Sequence, residues 1–163
     1  MFREMRRKRQ TLSPQLAEEL LTHAKTGILA VTGDDGYPYT IPLNYVYKDS
    51  VLYFHCARSG HKLDALQSNP KVSFCIIEKD DVIPEAFTTH YRSVVAFGHA
   101  AEITADEEKF HVMQMLNDKY SPGLQKEGDL EIKRLWDILC VIGIKIDYIS
   151  GKEAKELARE RED

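Results

Sequence analysis

The stretch from Gly36 to Cys75 constrains the fold more than any other part of the chain. Thr40 to Tyr47 and Val51 to Cys56 are two runs rich in β-branched and aromatic residues, the types that fit a pleated surface. Lys48-Asp49-Ser50 is a short polar connection between them, which predicts a hairpin. Its turn type stays open, because no glycine marks it. After the second run come Arg58, Ser59, Gly60, His61 and Lys62, then a helical period carried by Leu63 and Leu66. Cations and hydroxyls gathered where a strand hands over to a helix suit an anion. The helix start adds free N–H groups and the positive end of a dipole.

The remaining segments alternate strands with short helices. Ser13 is a predicted N-cap and Pro14 a first helical residue, with Leu16, Leu20, Leu21 and Ala24 as the apolar stripe. Ile28 to Thr32 reads as a strand and Gly33 to Gly36 as a turn. Leu63 to Gln67 is a short helix, and Lys71 to Ile77 a strand inside the sheet, because its outward positions carry little charge. Glu78 to Tyr91 is polar, contains Pro84, and reads as a loop and candidate lid. Arg92 to Thr104 is a long strand, in which Gly98 predicts a bulge or a close approach to the backbone. Asp106 to Lys119 and Leu130 to Leu139 are helical, and Cys140 to Ile149 is a final strand. Six or so strands in hairpin order, with short helices between, predict a mainly β fold with α, an antiparallel barrel. A strand count does not choose among barrels.

Composition narrows the function. The 163 residues suit a single domain over 1–163, with a basic arm at 1–12 and a charged tail at 152–163 that is expected to be helical in part. The net charge of −4 gives no support for a nucleic-acid partner. Arg3, Arg6, Arg7, Lys8 and Arg9 form the basic run, read as a solvated arm or the rim of a subunit contact. No apolar run approaches ~18 residues, so no membrane span is expected, and the first residues hold no apolar h-region, so no signal peptide is expected. The three cysteines, Cys56, Cys75 and Cys140, have neither a disulfide nor a zinc spacing, which predicts a reducing, cytoplasmic setting. His55 and His61 stand six residues apart and His90 and His99 nine apart, matching no ligand spacing, so no metal is expected.

The ordered pieces K-R-Q-T-L-S, G-Y-P-Y-T-I-P-L-N-Y-V-Y and F-H-C-A-R-S-G-H-K-L-D make the chain resemble the flavin-binding split-barrel superfamily that includes pyridoxamine 5'-phosphate oxidase. Within it the chain is most similar to the nitroimidazole-resistance group. The resemblance runs from Arg7 to Gly151 and is strongest over 27–77 and 92–104. It implies a six-stranded split β-barrel with short flanking helices, and a homodimer with FMN at the interface. It maps a first cofactor strand onto Thr40, Ile41, Pro42, Leu43, Asn44 and Tyr45, with Leu43 flanking the ring. A second maps onto His55, Cys56 and Ala57. Ser59, His61 and Lys62 fall at the phosphate, and Ser93 is a contact from the other subunit.

Two departures matter. His61 stands where the oxidases have arginine, and His55-Cys56 where they have tyrosine-threonine. The nitroimidazole-resistance group shares both, which moves the reading away from pyridoxine-phosphate oxidation. No counterpart of the oxidases' C-terminal substrate-binding arginine segment is found. His61 is the candidate catalytic residue; the alternative is a histidine that orders the loop. The implied activity is an oxidoreductase taking a hydride from a transient NAD(P)H and reducing a small acceptor such as a nitroaromatic. The rival is a non-catalytic flavin-binding or redox-sensing module, or a haem-binding relative. No Rossmann fingerprint is present, so a nicotinamide donor has no dedicated fold here.

Overall fold

The structure is a computed structural model and describes residues 2–162. Its helices are α1 (Pro14–His23), α2 (His61–Ser68), α3 (Asp106–Tyr120), α4 (Gln125–Leu135) and α5 (Lys155–Glu162). Its strands are β1 (Thr26–Thr32), β2 (Pro38–Asn44), β3 (Val46–Lys48), β4 (Val51–Ala57), β5 (Lys71–Ile83), β6 (Thr88–Glu102) and β7 (Leu139–Glu153). The start of α1 follows from local chemistry: the Ser13 Oγ accepts the Leu16 N–H at 3.2 Å, and Pro14 fills the first position, where no N–H is needed.

All seven strands form one antiparallel sheet in the order β2-β1-β5-β6-β7-β4-β3. The two edges, β2 and β3, are joined through the single residue Tyr45. The sheet therefore curls until its edges almost meet, giving a barrel split between β2 and β3. Alternate residues fill it: Leu29 and Val31 from β1, Leu52 and Phe54 from β4, Val72, Phe74 and Ile76 from β5, and Val94 and Ala96 from β6 are all buried. Each such large apolar side chain contributes roughly 1.5–3 kcal/mol. Ala17 and Leu21 of α1 and Leu63, Ala65 and Leu66 of α2 belong to the same core. Val112 and Leu116 of α3 pack with Val46 and Val141 in a second, smaller cluster. No helix among the described residues is long and apolar enough to cross a membrane.

Four expectations need correction. The run from Thr40 to Tyr47 is two strands, not one, which turns the expected six into seven. Only Val46 to Lys48 pairs with β4; β2 pairs with β1 instead. Glu78 to Tyr91 is no loop. Lys79 to Ile83 pairs with Thr88 to Arg92, and the hairpin closes on a short 3-10 turn, Pro84–Ala86. That ribbon lies outside the barrel and has no apolar face to reveal its period. The second helical piece ends at Leu135 and is followed by a 3-10 turn, Trp136–Ile138. The charged tail is helical in part, as expected, over α5; Lys152 and Glu153 end β7, while Ala154, Leu157 and Ala158 are buried. The Glu153 carboxylate is fully buried between the Nε groups of Arg92 (3.0 Å) and Arg161 (2.9 Å).

The basic arm is also docked. Phe2 stacks on Tyr148 with ring centroids 4.8 Å apart, Leu12 N–H donates to the Gly151 carbonyl at 3.0 Å, and Gln10 and Leu12 are buried. Gly98 fulfils both readings made of it. The β6–β7 register shifts between Phe97 and Gly98, and a Cβ at Gly98 would stand 2.3 Å from the Lys145 carbonyl oxygen.

Candidate functional site

Strand period decides which of the mapped residues can meet a ligand. On β2, Ile41 and Leu43 pack against the core while Thr40, Pro42 and Asn44 are exposed. On β4, Leu52 and Phe54 are buried and Cys56 packs against the same core, while His55 and Ala57 face out. Tyr45 is fully buried, and its hydroxyl donates to the Leu21 carbonyl at 2.6 Å. The mapped set thus splits. Thr40, Pro42, Asn44, His55 and Ala57 present side chains outward; Ile41, Leu43, Tyr45 and Cys56 do not. Leu43 is partly buried and packs against the core.

Asn44 and His55 meet at one cavity of about 230 Å³. Met113, Leu116 and Tyr120 of α3 and Ile132 of α4 supply much of its other wall. Tyr120 also fixes the strand break beside it. Its hydroxyl accepts the Tyr45 N–H at 2.8 Å and stands 2.8 Å from the Tyr45 carbonyl and 2.6 Å from that of Lys25. The backbone groups that β2 and β3 leave unpaired at Tyr45 are satisfied by one side chain. Beside it, the Lys119 Nζ donates to the Ala24 carbonyl at 2.7 Å and lies 4.3 Å from the Tyr45 ring centre; burial pushes this ammonium down to about 8. The His55 imidazole is held below its ordinary value, first by desolvation and then by the nearby Lys62 cation. It therefore stands as a neutral hydrogen-bonding group at the cavity wall.

The helix start is built as an anion site would be. Gly60 is the N-cap, with φ 128°, a conformation that favours glycine. Its carbonyl accepts the N–H groups of Leu63 (2.9 Å) and Asp64 (3.2 Å). The N–H groups of His61 and Lys62 stand in the first turn, where no intrahelical acceptor exists. The Lys62 Nζ lies 5.4 Å from the Phe54 ring centre. The His61 ring stacks on Tyr39 at 4.3 Å and 13°, with Nε2 3.5 Å from the Asp34 carboxylate. Ser59 is exposed beside them. Arg58 is partly committed elsewhere, its Nε donating to the Leu139 carbonyl at 3.3 Å.

Ser93 does not join this group within one chain. It lies opposite Lys152 on β7, whereas β4 pairs with β7 only from Leu139 to Lys145. Cys56 and Cys140 face each other across β4 and β7, and burial pushes both thiols up, Cys140 to about 12. Both stay protonated, so neither offers a thiolate nucleophile. Asp34, Tyr39, Tyr120 and the helical wall of the cavity were not legible as site residues. Asp34 sits in an ordinary turn signal, and nothing in the α3 sequence tells which strand it packs against.

Comparison with known proteins agrees with this architecture. The family model described as Pyridoxamine 5'-phosphate oxidase matches residues 13–153. An uncharacterized protein of Rhizobium meliloti (strain 1021) is 32% identical over 129 residues, 74% of this chain and 79% of that protein. An FAD-binding protein from Mesorhizobium loti is 28% identical, with TM-score 0.65, covering 90% of this chain and 98% of the other. A candidate 5-nitroimidazole antibiotic resistance protein from Bacteroides thetaiotaomicron has TM-score 0.74 at 23% identity, covering 88% and 86%. An FAD and haem binding protein from Mycobacterium smegmatis has TM-score 0.77 at 20% identity, covering 95% and 80%. With seven antiparallel strands, a split between β2 and β3, and a family match across most of its length, the chain belongs to the pyridoxamine 5'-phosphate oxidase family.

Proposed function

We propose that this protein is a flavoprotein and an FMN-dependent oxidoreductase that works as a homodimer on a small oxidised acceptor, such as a nitroaromatic, with NAD(P)H as transient donor. One observation carries the reading: outward-facing Asn44 and His55 meet at a single cavity on the β4 strand that leads into the Gly60-His61-Lys62 helix start. The residues fit a flavin phosphate. Two first-turn N–H groups without intrahelical acceptors, a lysine and a serine hydroxyl are a donor set for a dianion. The Mesorhizobium loti relative, described as FAD-binding, supports the flavin class.

In this reading Ser59, His61 and Lys62 hold the phosphate, and the edges of Thr40, Pro42 and Asn44 with Ala57 orient the ring. Bound flavin supplies the two-electron chemistry, and the protein supplies position and electrostatics. Neutral His55 can accept or donate a hydrogen bond at the cavity wall without adding charge beside Lys62. His61, held by Tyr39 and Asp34, positions what binds next to the ring and is the candidate proton donor.

The test is purification followed by a visible spectrum and mass analysis of the released cofactor. A flavin band and an FMN mass are expected. An FAD mass would correct the cofactor, a haem Soret band would favour the haem-binding alternative, and a protein that takes up no flavin would sink the reading. Anaerobic bleaching by NAD(P)H separates an enzyme from a passive binder. Lys62→Ala should weaken FMN by about 1.5–3 kcal/mol, roughly ten- to a hundredfold, and riboflavin far less. His61→Ala should keep the flavin and slow turnover of a nitro acceptor by roughly ten- to a hundredfold.

A further inference from the structure

Cys56 and Cys140 are far apart in the chain, yet the barrel sets them face to face. They are direct partners in the β4–β7 ladder, between the pairs His55–Val141 and Ala57–Leu139. Residues opposite one another in an antiparallel pair share a face, with Cβ atoms about 4.5–5.5 Å apart. Here that face is the interior: Cys140 belongs to the core and Cys56 packs against it. The two sulfurs act on each other. After burial, Cys56 is the largest influence that holds the Cys140 proton in place. The third cysteine has no such neighbour. Cys75 stands opposite Ile28 on β1 and Val95 on β6.

The pair is not symmetric. Cys56 is half-buried and Cys140 fully buried. Lys62 pulls Cys56 toward the thiolate against the effect of burial, while Glu102 helps to keep Cys140 a thiol. A small oxidant therefore reaches Cys56 first, and Cys140 is the resolving partner. Both thiols are protonated at rest, so the reaction is slow and answers to a sustained oxidant rather than to a passing one. A disulfide needs Cβ atoms about 3.5–4.5 Å apart, so bridging draws β4 and β7 together by up to about 1 Å. That shift acts at the root of the candidate site. His55 and Ala57 flank Cys56, and the Arg58 Nε ties the loop that follows to the Leu139 carbonyl, next to Cys140. The Gly60 helix start comes directly after that loop.

We propose that Cys56 and Cys140 are a redox modification site, at which a peroxide forms a cross-strand disulfide that loosens the anion site at the Gly60 helix start. The ionised fraction of Cys56 attacks one peroxide oxygen. The O–O bond breaks, Cys56 becomes a sulfenic acid, and the departing oxygen leaves as water. The Cys140 sulfur then attacks the Cys56 sulfur. The S–S bond forms, the S–O bond breaks, and the Cys140 proton leaves with the hydroxyl as a second water. Two thiols are oxidised by two electrons and the peroxide is reduced to two waters. A dithiol reductant reverses the bridge by exchange. The effect on the anion site rests on the phosphate reading above; the disulfide itself does not.

The test treats the full chain with hydrogen peroxide, blocks the remaining thiols by alkylation and maps peptides without reduction. A Cys56–Cys140 link is expected in wild type and in Cys75→Ser alike, with dithiothreitol restoring both thiols. Cys140→Ser should form no link and should instead hold a Cys56 sulfenic acid that dimedone traps. Formation should quicken from pH 7 to pH 9 as more Cys56 ionises. A link that includes Cys75, oxidation of Cys75 alone, or over-oxidation of Cys56 with Cys140 left free would overturn the proposal. In the bridged protein the FMN dissociation constant should rise roughly three- to tenfold, the worth of one hydrogen bond, and return with reductant. An FMN affinity that is the same in both redox states would overturn the coupling to the helix start. The two readings fail separately: a flavin-loaded protein that forms no link loses only the redox site, and a protein that forms the link but takes no flavin loses only the flavin.

Discussion

The Tyr120 hydroxyl bridges both backbone groups of Tyr45, accepting its N–H and standing within hydrogen-bond distance of its carbonyl, each at 2.8 Å. One side chain from the end of α3 therefore closes the gap where the barrel splits. It also sets Asn44, the preceding residue, at the cavity wall. Tyr120→Phe keeps the ring and removes the bridge. The Tyr45 N–H is then left without an acceptor, at a cost of about 1–3 kcal/mol. Urea unfolding should show that loss, and ligand affinity at the cavity should fall with it. A midpoint unchanged from wild type would mean that water replaces the hydroxyl.

Acidification should weaken the fold through His55. Its imidazole is held below the ordinary 6.5 by desolvation and by Lys62, so the fold disfavours the charged form. The unfolded chain protonates first as pH falls. The stabilisation is therefore complete above about pH 6.5 and is lost as pH drops through the lower folded value. Between pH 7 and 5 the urea midpoint of wild type should fall further than that of His55→Gln. Lys62→Met should raise the His55 titration seen by NMR, while leaving the larger desolvation effect in place. Parallel midpoint curves for wild type and His55→Gln would refute this assignment.

Glu153→Gln tests the buried carboxylate that joins the sheet to α5. Arg92 and Arg161 both donate to it, and Arg161 also reaches the Thr11 carbonyl at 3.3 Å. Both arginines are partly open to water, so the loss should sit near about 1.5–3 kcal/mol, the range for a hydrogen bond to a charged group. Limited proteolysis should cut first near α5 and the N-terminal segment. Cleavage appearing first in the barrel would contradict the proposed linkage.

Gly98→Ala forces a Cβ against the Lys145 carbonyl at the β6 bulge, where only 2.3 Å is available. Backbone must move, and overpacking of this kind typically costs about 1–3 kcal/mol. A thermal melt should register it as a drop in Tm of several degrees. An unshifted melt would show that the bulge relocates freely.

The cores of strands β1, β4 and β7, the α1 cap at Ser13, the bulge at Gly98 and the Gly60-His61-Lys62 helix start are all local properties. Side-chain period, capping chemistry and glycine conformation set them within a few residues, so the amino-acid order alone determined them. The tertiary structure decided what no local pattern carries. It broke the run at Tyr45, because curling the sheet sends β2 and β3 to opposite edges. It turned Leu43 and Cys56 inward and His55 outward, because register against neighbouring strands selects the face. It brought Tyr120 to Tyr45 across 75 residues, and Asp34 to His61, through packing that depends on where α3 and the β1–β2 turn come to rest. The polar 78–91 segment looked like a loop for the same reason: outside the barrel, neither face of a strand needs to be apolar, and pairing alone makes the ribbon.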